Sequence, residues 1–168
     1  MKVEKTKLEG VLLITPPTIF EDFRGHYVET FNKEIYSKHG IVIDFVQDDI
    51  ATSHKNVLRG IHGDNITWKL VSCLYGNIYI IVVNNDSKSK QYREWTSFNI
   101  SDRNCLQVLI PPKFGIGPLV LSERAIFHYK QSTQYSRKKQ FTILWDDSKY
   151  NFWWPIKNPI VTTRDSGI

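Results

Sequence analysis

Sulfur is scarce in this chain, which has two cysteines and one methionine among 168 residues. Cys73 and Cys105 stand in apolar, strand-like runs without metal-type spacing, which excludes a disulfide scaffold and leaves two free core thiols of a reducing compartment. Long hydrophobic runs are missing as well. Behind a charged N-terminus, Val11 to Ile14 falls far short of the roughly 20 apolar residues that span a bilayer. The expectation is a soluble, unexported, cytoplasmic protein with no membrane association. Blocks of one charge are also absent. The net charge is +5, yet the longest basic run is Arg137-Lys138-Lys139, and acidic residues are mixed in throughout. A nucleic-acid-binding stripe is therefore not expected, whereas the basic surplus suits a nucleotide phosphate. Repeats, linkers and low-complexity tracts are lacking too, so residues 1–168 are read as one domain.

What is present is a short-period pattern. Apolar residues alternate at Leu106, Val108 and Ile110, at Ala125, Phe127 and Tyr129, and at Phe141, Ile143 and Trp145. A period of two marks half-buried strands. Gly76-Asn77, Asn84-Asn85-Asp86, Ser101-Asp102, Pro111-Pro112, Ser122-Glu123 and Asp146-Asp147 punctuate the runs. Many short strands at such spacing predict an all-β antiparallel sandwich or jelly roll. Helix is expected only at about 33–39, with a short turn within 156–165. The aromatic stretch Phe152-Trp153-Trp154-Pro155 reads as a lid or core closure near the C-terminus.

The motif that carries chemistry is Leu58-Arg59-Gly60-Ile61-His62-Gly63-Asp64. A catalytic metal needs three or four ligands, and His62 has no second histidine nearby in sequence, so His62 is read as a base and no metal site is expected. His26, His39, His54 and His128 read as structural. Because side chains alternate along a strand, His128 and Tyr129 should point to opposite faces.

Taken together, Asp22-Phe23-Arg24-Gly25-His26-Tyr27-Val28-Glu29, Gln47-Asp48, Leu58 to His62, Trp68-Lys69-Leu70-Val71, Ile110-Pro111, Leu119 to Ser122, Tyr129-Lys130, Tyr135, Trp145-Asp146-Asp147, Trp154-Pro155 and Thr163-Arg164-Asp165 resemble the dTDP-4-dehydrorhamnose 3,5-epimerase family of metal-free cupins. The resemblance runs in order through nearly the whole chain. It implies a cupin jelly-roll barrel with a few short helices, no cofactor, and inversion of stereocentres beside the ketone of a nucleotide-linked 4-keto-6-deoxy sugar. It further implies His62 as base, Asp165 as its support, Tyr129 as the opposing acid and Lys69 near the ketone. Gln47, Arg59, Tyr135 and Trp154 would contact substrate, and Arg24 and Glu29 would reach the nucleotide site of a neighbouring subunit, making a homodimer.

These residue types suit the chemistry. A C–H beside a ketone is acidic because the carbanion delocalises into an enolate, which needs a base near neutrality and cations such as Lys69 or Arg59 at the oxygen. Inversion then needs a second acid on the opposite face, which a phenol supplies.

The chain departs from the family pattern in three places, one of them a short loop between His62 and Lys69. Phe114-Gly115-Ile116-Gly117-Pro118 stands where Phe-x-His-Gly-Phe is usual, and Asp64 stands where glutamine is common. The wording "RGIHGD", "TWKLV" and "LVLSERAIFHYKQS" is similar to C3 or C3/C5 epimerases of bacterial capsule pathways, which implies a GDP-4-keto-6-deoxyheptose substrate. A 3,4-ketoisomerase and a non-catalytic sugar-binding cupin are the alternatives.

Overall fold

A computed structural model describes residues 1–167 and shows thirteen strands and two short helices. The strands are β1 (Lys2–Lys5), β2 (Leu12–Thr15), β3 (Thr18–Asp22), β4 (Gly25–Glu29), β5 (Gln47–His54), β6 (His62–Gly63) and β7 (Lys69–Tyr75). They continue with β8 (Asn77–Asn84), β9 (Trp95–Ser101), β10 (Gln107–Ile110), β11 (Phe114–Val120), β12 (Arg124–Gln131) and β13 (Phe141–Thr142). The helices are α1 (Lys33–Lys38) and α2 (Thr163–Ser166). Six strands form one sheet in the order β1-β2-β10-β7-β12-β5, five form another in the order β13-β6-β11-β8-β9, and β3-β4 is a separate hairpin. Every ladder is antiparallel.

The period of two distributes residues between three apolar layers. Along β8, Ile78, Ile80 and Val82 face Val71, Val108, Phe127 and Ile116 between the sheets. Their neighbours Tyr79, Ile81 and Val83 face outward, yet they are buried too, because the segment 143–161 lays Trp145, Phe152, Trp154 and Val161 over them. A strand covered on both faces needs a continuous apolar run, and β8 has one. The third layer lies outside the six-stranded sheet, where Tyr36 of α1 packs with Ile14, Leu70 and Leu109. Asn32 starts α1 by accepting from the N–H groups of Glu34 and Ile35 through its side chain, which satisfies donors that have no partner inside the helix.

Three expectations differ from what is found. Strand β13 covers only Phe141–Thr142, and backbone pairing ends one residue later, where Ile143 exchanges hydrogen bonds with Ile61 at 2.9 and 3.2 Å; Trp145 packs inward without pairing. Cys105 is not in a strand but in a turn at φ +51°, whereas Cys73 is buried in β7 with its thiol pushed up to about 11 by burial. Helix near the C-terminus is confined to α2. Among the described residues, no helix is long and apolar enough to cross a membrane.

Candidate active site

The two sheets part at one end around a cavity of about 590 Å³. The five-stranded sheet contributes His62 of β6 and Ile116 and Pro118 of β11, while the six-stranded sheet contributes Asp49 and Ala51 of β5, Lys69 of β7, and Tyr129 and Gln131 of β12. The rim consists of Arg59, Tyr135, Arg137, Gln140 and the stretch 162–165. His62 and Tyr129 thus belong to opposite walls.

His62 is placed by tight backbone packing. Ile116 is its direct partner on β11, and Thr142 of β13 pairs on the other side. Gly63 has no room for a side chain, because a Cβ would meet the Phe114 carbonyl oxygen at 2.2 Å and the Phe141 ring at 2.5 Å. Gly60 holds φ +116° with the Ile116 carbonyl oxygen 2.5 Å from where a Cβ would sit. Glycine alone fits these two approaches.

Asp165 comes to His62 from the far end of the chain. The segment is docked by a parallel bridge between Val57 and Ile160, with Leu58 N–H donating to Ile160 O at 3.0 Å. The short helix α2 then presents Asp165, which is 2% exposed, with Oδ1 2.6 Å from His62 Nε2 and Oδ2 accepting from Gly60 N–H at 3.1 Å. A carboxylate only accepts hydrogen bonds, so the imidazole proton belongs on Nε2 and Nδ1 is the basic nitrogen. Burial pushes the His62 pKa below its ordinary value; Asp165 opposes the shift, and Arg164 and Lys69 add to it.

Lys69 is 6% exposed. Burial lowers its pKa, and the nearby Asp64 carboxylate works against that. Asp64 itself closes the loop before Lys69, accepting from the N–H groups of Ile66 and Thr67 at 2.9 and 2.7 Å. Tyr129 is half-buried and edge-on to Phe127, their centroids 5.5 Å apart. Burial raises its pKa, Arg59 lowers it and Asp49 raises it. His128 lies on the opposite face, against Asp48 at 3.0 Å. Arg59 is tied to β5 through Ser53 Oγ at 2.9 Å.

Four further candidates are placed differently. Gln47 shares the inward face of β5 with Asp49 but does not line the cavity; it is bonded to Asp49 and to the backbone of Tyr135. Trp154 does not line the cavity. Its indole N–H donates to Trp145 O at 2.8 Å and its ring presses on Gly117 from outside the barrel, so its expected substrate contact gives way to packing. Arg24 and Glu29 sit on the β3-β4 hairpin and do not line this chain's cavity; Arg24 is paired with Asp22 at 2.6 Å. The sequence reading missed Asp49, Gln131, Arg137, Gln140 and Arg164. Asp49 and Gln131 follow the inward-facing Gln47 and Tyr129 by two residues, so the strand period marks both. Among the described residues, no group of three or more His, Cys, Asp or Glu is arranged to hold a metal ion.

This architecture defines a cupin-type jelly roll with a cavity between its sheets into which several charged side chains converge. The family model for dTDP-4-dehydrorhamnose 3,5-epimerase matches residues 5–168. The epimerase of that name from Shigella flexneri is 36% identical over 98% of this chain and 93% of its own length. A structure of the Legionella pneumophila epimerase in complex with dTDP-4-keto-L-rhamnose superposes with a TM-score of 0.93 at 31% identity, covering 99% of this chain and 90% of that one. The Bacillus anthracis enzyme with TDP and PPi bound also gives 0.93, at 30% identity over 98% and 96%. The chain belongs to the dTDP-4-dehydrorhamnose 3,5-epimerase family.

Proposed function

We propose that the cavity epimerises a nucleotide-linked 4-keto-6-deoxy sugar beside its ketone, at C3 or at both C3 and C5, through an enolate. The observation that carries this reading is the His62-Asp165 pair on one wall facing Tyr129 on the other, with the buried Lys69 in the same cavity. His62 Nδ1 removes the C3 proton, and the electron pair of that C–H bond moves into C3=C4 while the ketone becomes an oxyanion. Lys69 and Arg59 stabilise that charge, worth most where water is excluded. The C4–O electrons then return, and C3 takes the Tyr129 hydroxyl proton on the opposite face. The imidazolium and the phenolate afterwards exchange protons with solvent.

The named relatives act on dTDP sugars, which makes a dTDP-4-keto-6-deoxyhexose the favoured substrate. The GDP-4-keto-6-deoxyheptose suggested by the motif wording finds no counterpart among those relatives. One observation keeps it as the second reading: the cavity wall beside His62 is built from Ile116 and Pro118, the two positions at which the family pattern has histidine and phenylalanine. The reaction also fits a homodimer. Phe20, Phe23 and Tyr27 of the β3-β4 hairpin are 68%, 99% and 65% exposed, and a second subunit covering them would receive Arg24 and Glu29 at its nucleotide end.

Incubation in D2O tests the reading. The dTDP-hexose is expected to gain deuterium at C3 with inversion and to keep its ketone at C4. Uptake at C5 as well makes the enzyme a 3,5-epimerase. Turnover of the GDP-heptose alone selects the second reading, and a moved ketone reveals a ketoisomerase.

The pH profile gives a separate check. The base must be neutral, so kcat/KM falls as pH drops through the His62 pKa, placing the acid limb below the ordinary histidine value of about 6.5. In Asp165→Asn the opposing carboxylate is gone, and the limb moves to still lower pH. The same variant loses the correct tautomer, so kcat falls on the order of 10³-fold.

A further inference from the structure

The cavity wall contains an acid that the epimerisation does not use. Asp49 of β5 is the direct cross-strand partner of Tyr129 on β12, and it lines the cavity. The cations lining the same cavity are Arg59, Lys69, Arg137 and Arg164, which suit an anionic ligand. A carboxylate among them opposes a diphosphate unless it has another task.

Its hydrogen bonds show that task. Gln47 Nε2 donates to Oδ1 and Oδ2 of Asp49 at 3.0 and 2.8 Å, and Gln131 Nε2 donates to Oδ2 at 2.5 Å. With its NH2 group held by the carboxylate, the Gln47 amide has a fixed orientation. Its oxygen then faces the rim, where Oε1 accepts the backbone N–H of Tyr135 at 2.8 Å. The other end of the same loop is fastened separately: Trp68 N–H donates to Ser132 Oγ at 2.9 Å, Ser132 N–H donates to Trp68 O at 3.1 Å, and the Thr67 and Thr133 hydroxyls lie 2.6 Å apart. Tyr135 is 52% exposed, so burial does not set its height above the cavity. The bond from Gln47 does.

We infer that Asp49 is a positioning residue: it orients the Gln47 amide, which in turn holds the Tyr135 loop at the height where a nucleoside diphosphate is gripped. This rests on the nucleotide-sugar reading of the cavity. It differs from a purely electrostatic role in the sign of one effect. Asp49→Asn removes a negative charge, and charge alone would then tighten binding of a diphosphate. Positioning gives the opposite result, because asparagine turns an NH2 group toward donors that need an acceptor.

The test is calorimetric titration of the full chain with dTDP and with GDP, beside steady-state kinetics. In Asp49→Asn the Kd of the nucleotide that the unaltered protein binds is expected to rise about tenfold or more, and further in Asp49→Ala. KM should rise in parallel while kcat stays within about threefold, since His62, Tyr129 and Lys69 keep their places. Gln47→Ala makes the same test without touching the carboxylate, and Asp49→Ala with Gln47→Ala should bind no worse than the weaker single variant, because both break one chain of contacts. Tighter or unchanged binding in Asp49→Asn, or additive losses in the double variant, overturns the positioning role alone. Failure of the unaltered protein to bind either nucleotide overturns the nucleotide-sugar reading and the positioning role with it.

Discussion

His62→Asn is expected to slow deuterium exchange at C3 about 10³-fold, the size of a lost general base. Nucleoside diphosphate binding should stay within about threefold. The asymmetry follows from how the dyad is built. Asparagine has no basic nitrogen, so proton abstraction falls to water. Asp165 keeps its second anchor, the Gly60 N–H at 3.1 Å, so α2 and the rim residues Thr162 to Arg164 remain docked. A strong chelator should leave the unaltered enzyme at full rate, because beyond Asp165 no further His, Cys, Asp or Glu among the described residues is grouped with His62 to complete a metal site. Deuterium wash-in followed by NMR checks both points. A chelator-sensitive enzyme, or a variant keeping more than about a tenth of the rate, removes His62 from the role of base.

The barrel was legible in the chain because its strands are either half-buried or buried on both faces. Alternation at Leu106 to Ile110 and Ala125 to Tyr129 appears as β10 and β12. The third alternating stretch shows where the inference stops. Phe141, Ile143 and Trp145 all pack inward, but backbone pairing ends at Ile143, which bonds Ile61, because the following residues become the strap over the outer face of the five-stranded sheet. Burial sets the period, and pairing needs a free neighbouring edge as well. Cys105 misleads because it adjoins the alternating run that starts at Leu106, yet it still belongs to the Ser101-Asp102 turn, with a left-handed backbone.

The site was legible in part. His62, Lys69, Tyr129 and Asp165 come together across 103 residues of sequence between His62 and Asp165, and no local pattern reports such a distance. Their family order reports it instead. Trp154 shows the cost of that route, since a motif position identifies a residue without saying whether it faces substrate or packs behind the wall. Asp49 shows the reverse: Gln47-Asp48-Asp49 reads as a polar strand start, and the strand period counted from Gln47, with the register against Tyr129, separates the inward Asp49 from the outward Asp48, which pairs with Lys130 and His128.

Tyr129→Phe separates the two halves of the reaction. Removing the hydroxyl leaves a ring of the same shape edge-on to Phe127, so the core beneath the cavity is preserved. Burial outweighs Arg59 and holds the phenol above its ordinary range, so it is protonated throughout the neutral region and able to give its proton to C3. In the variant His62 still forms the enolate and still returns the proton from its own side. Exchange with retention is therefore expected to continue within about tenfold of the original rate, while inversion falls by about 10²- to 10⁴-fold. The measurement is the ratio of deuterium incorporation in recovered substrate to epimerised product over one time course. A rise in that ratio places Tyr129 after the enolate, as the acid of the opposite face. Equal loss of both would place it before the enolate, beside Lys69 as a donor to the ketone, and the inverting proton would then have to come from elsewhere on the six-stranded wall.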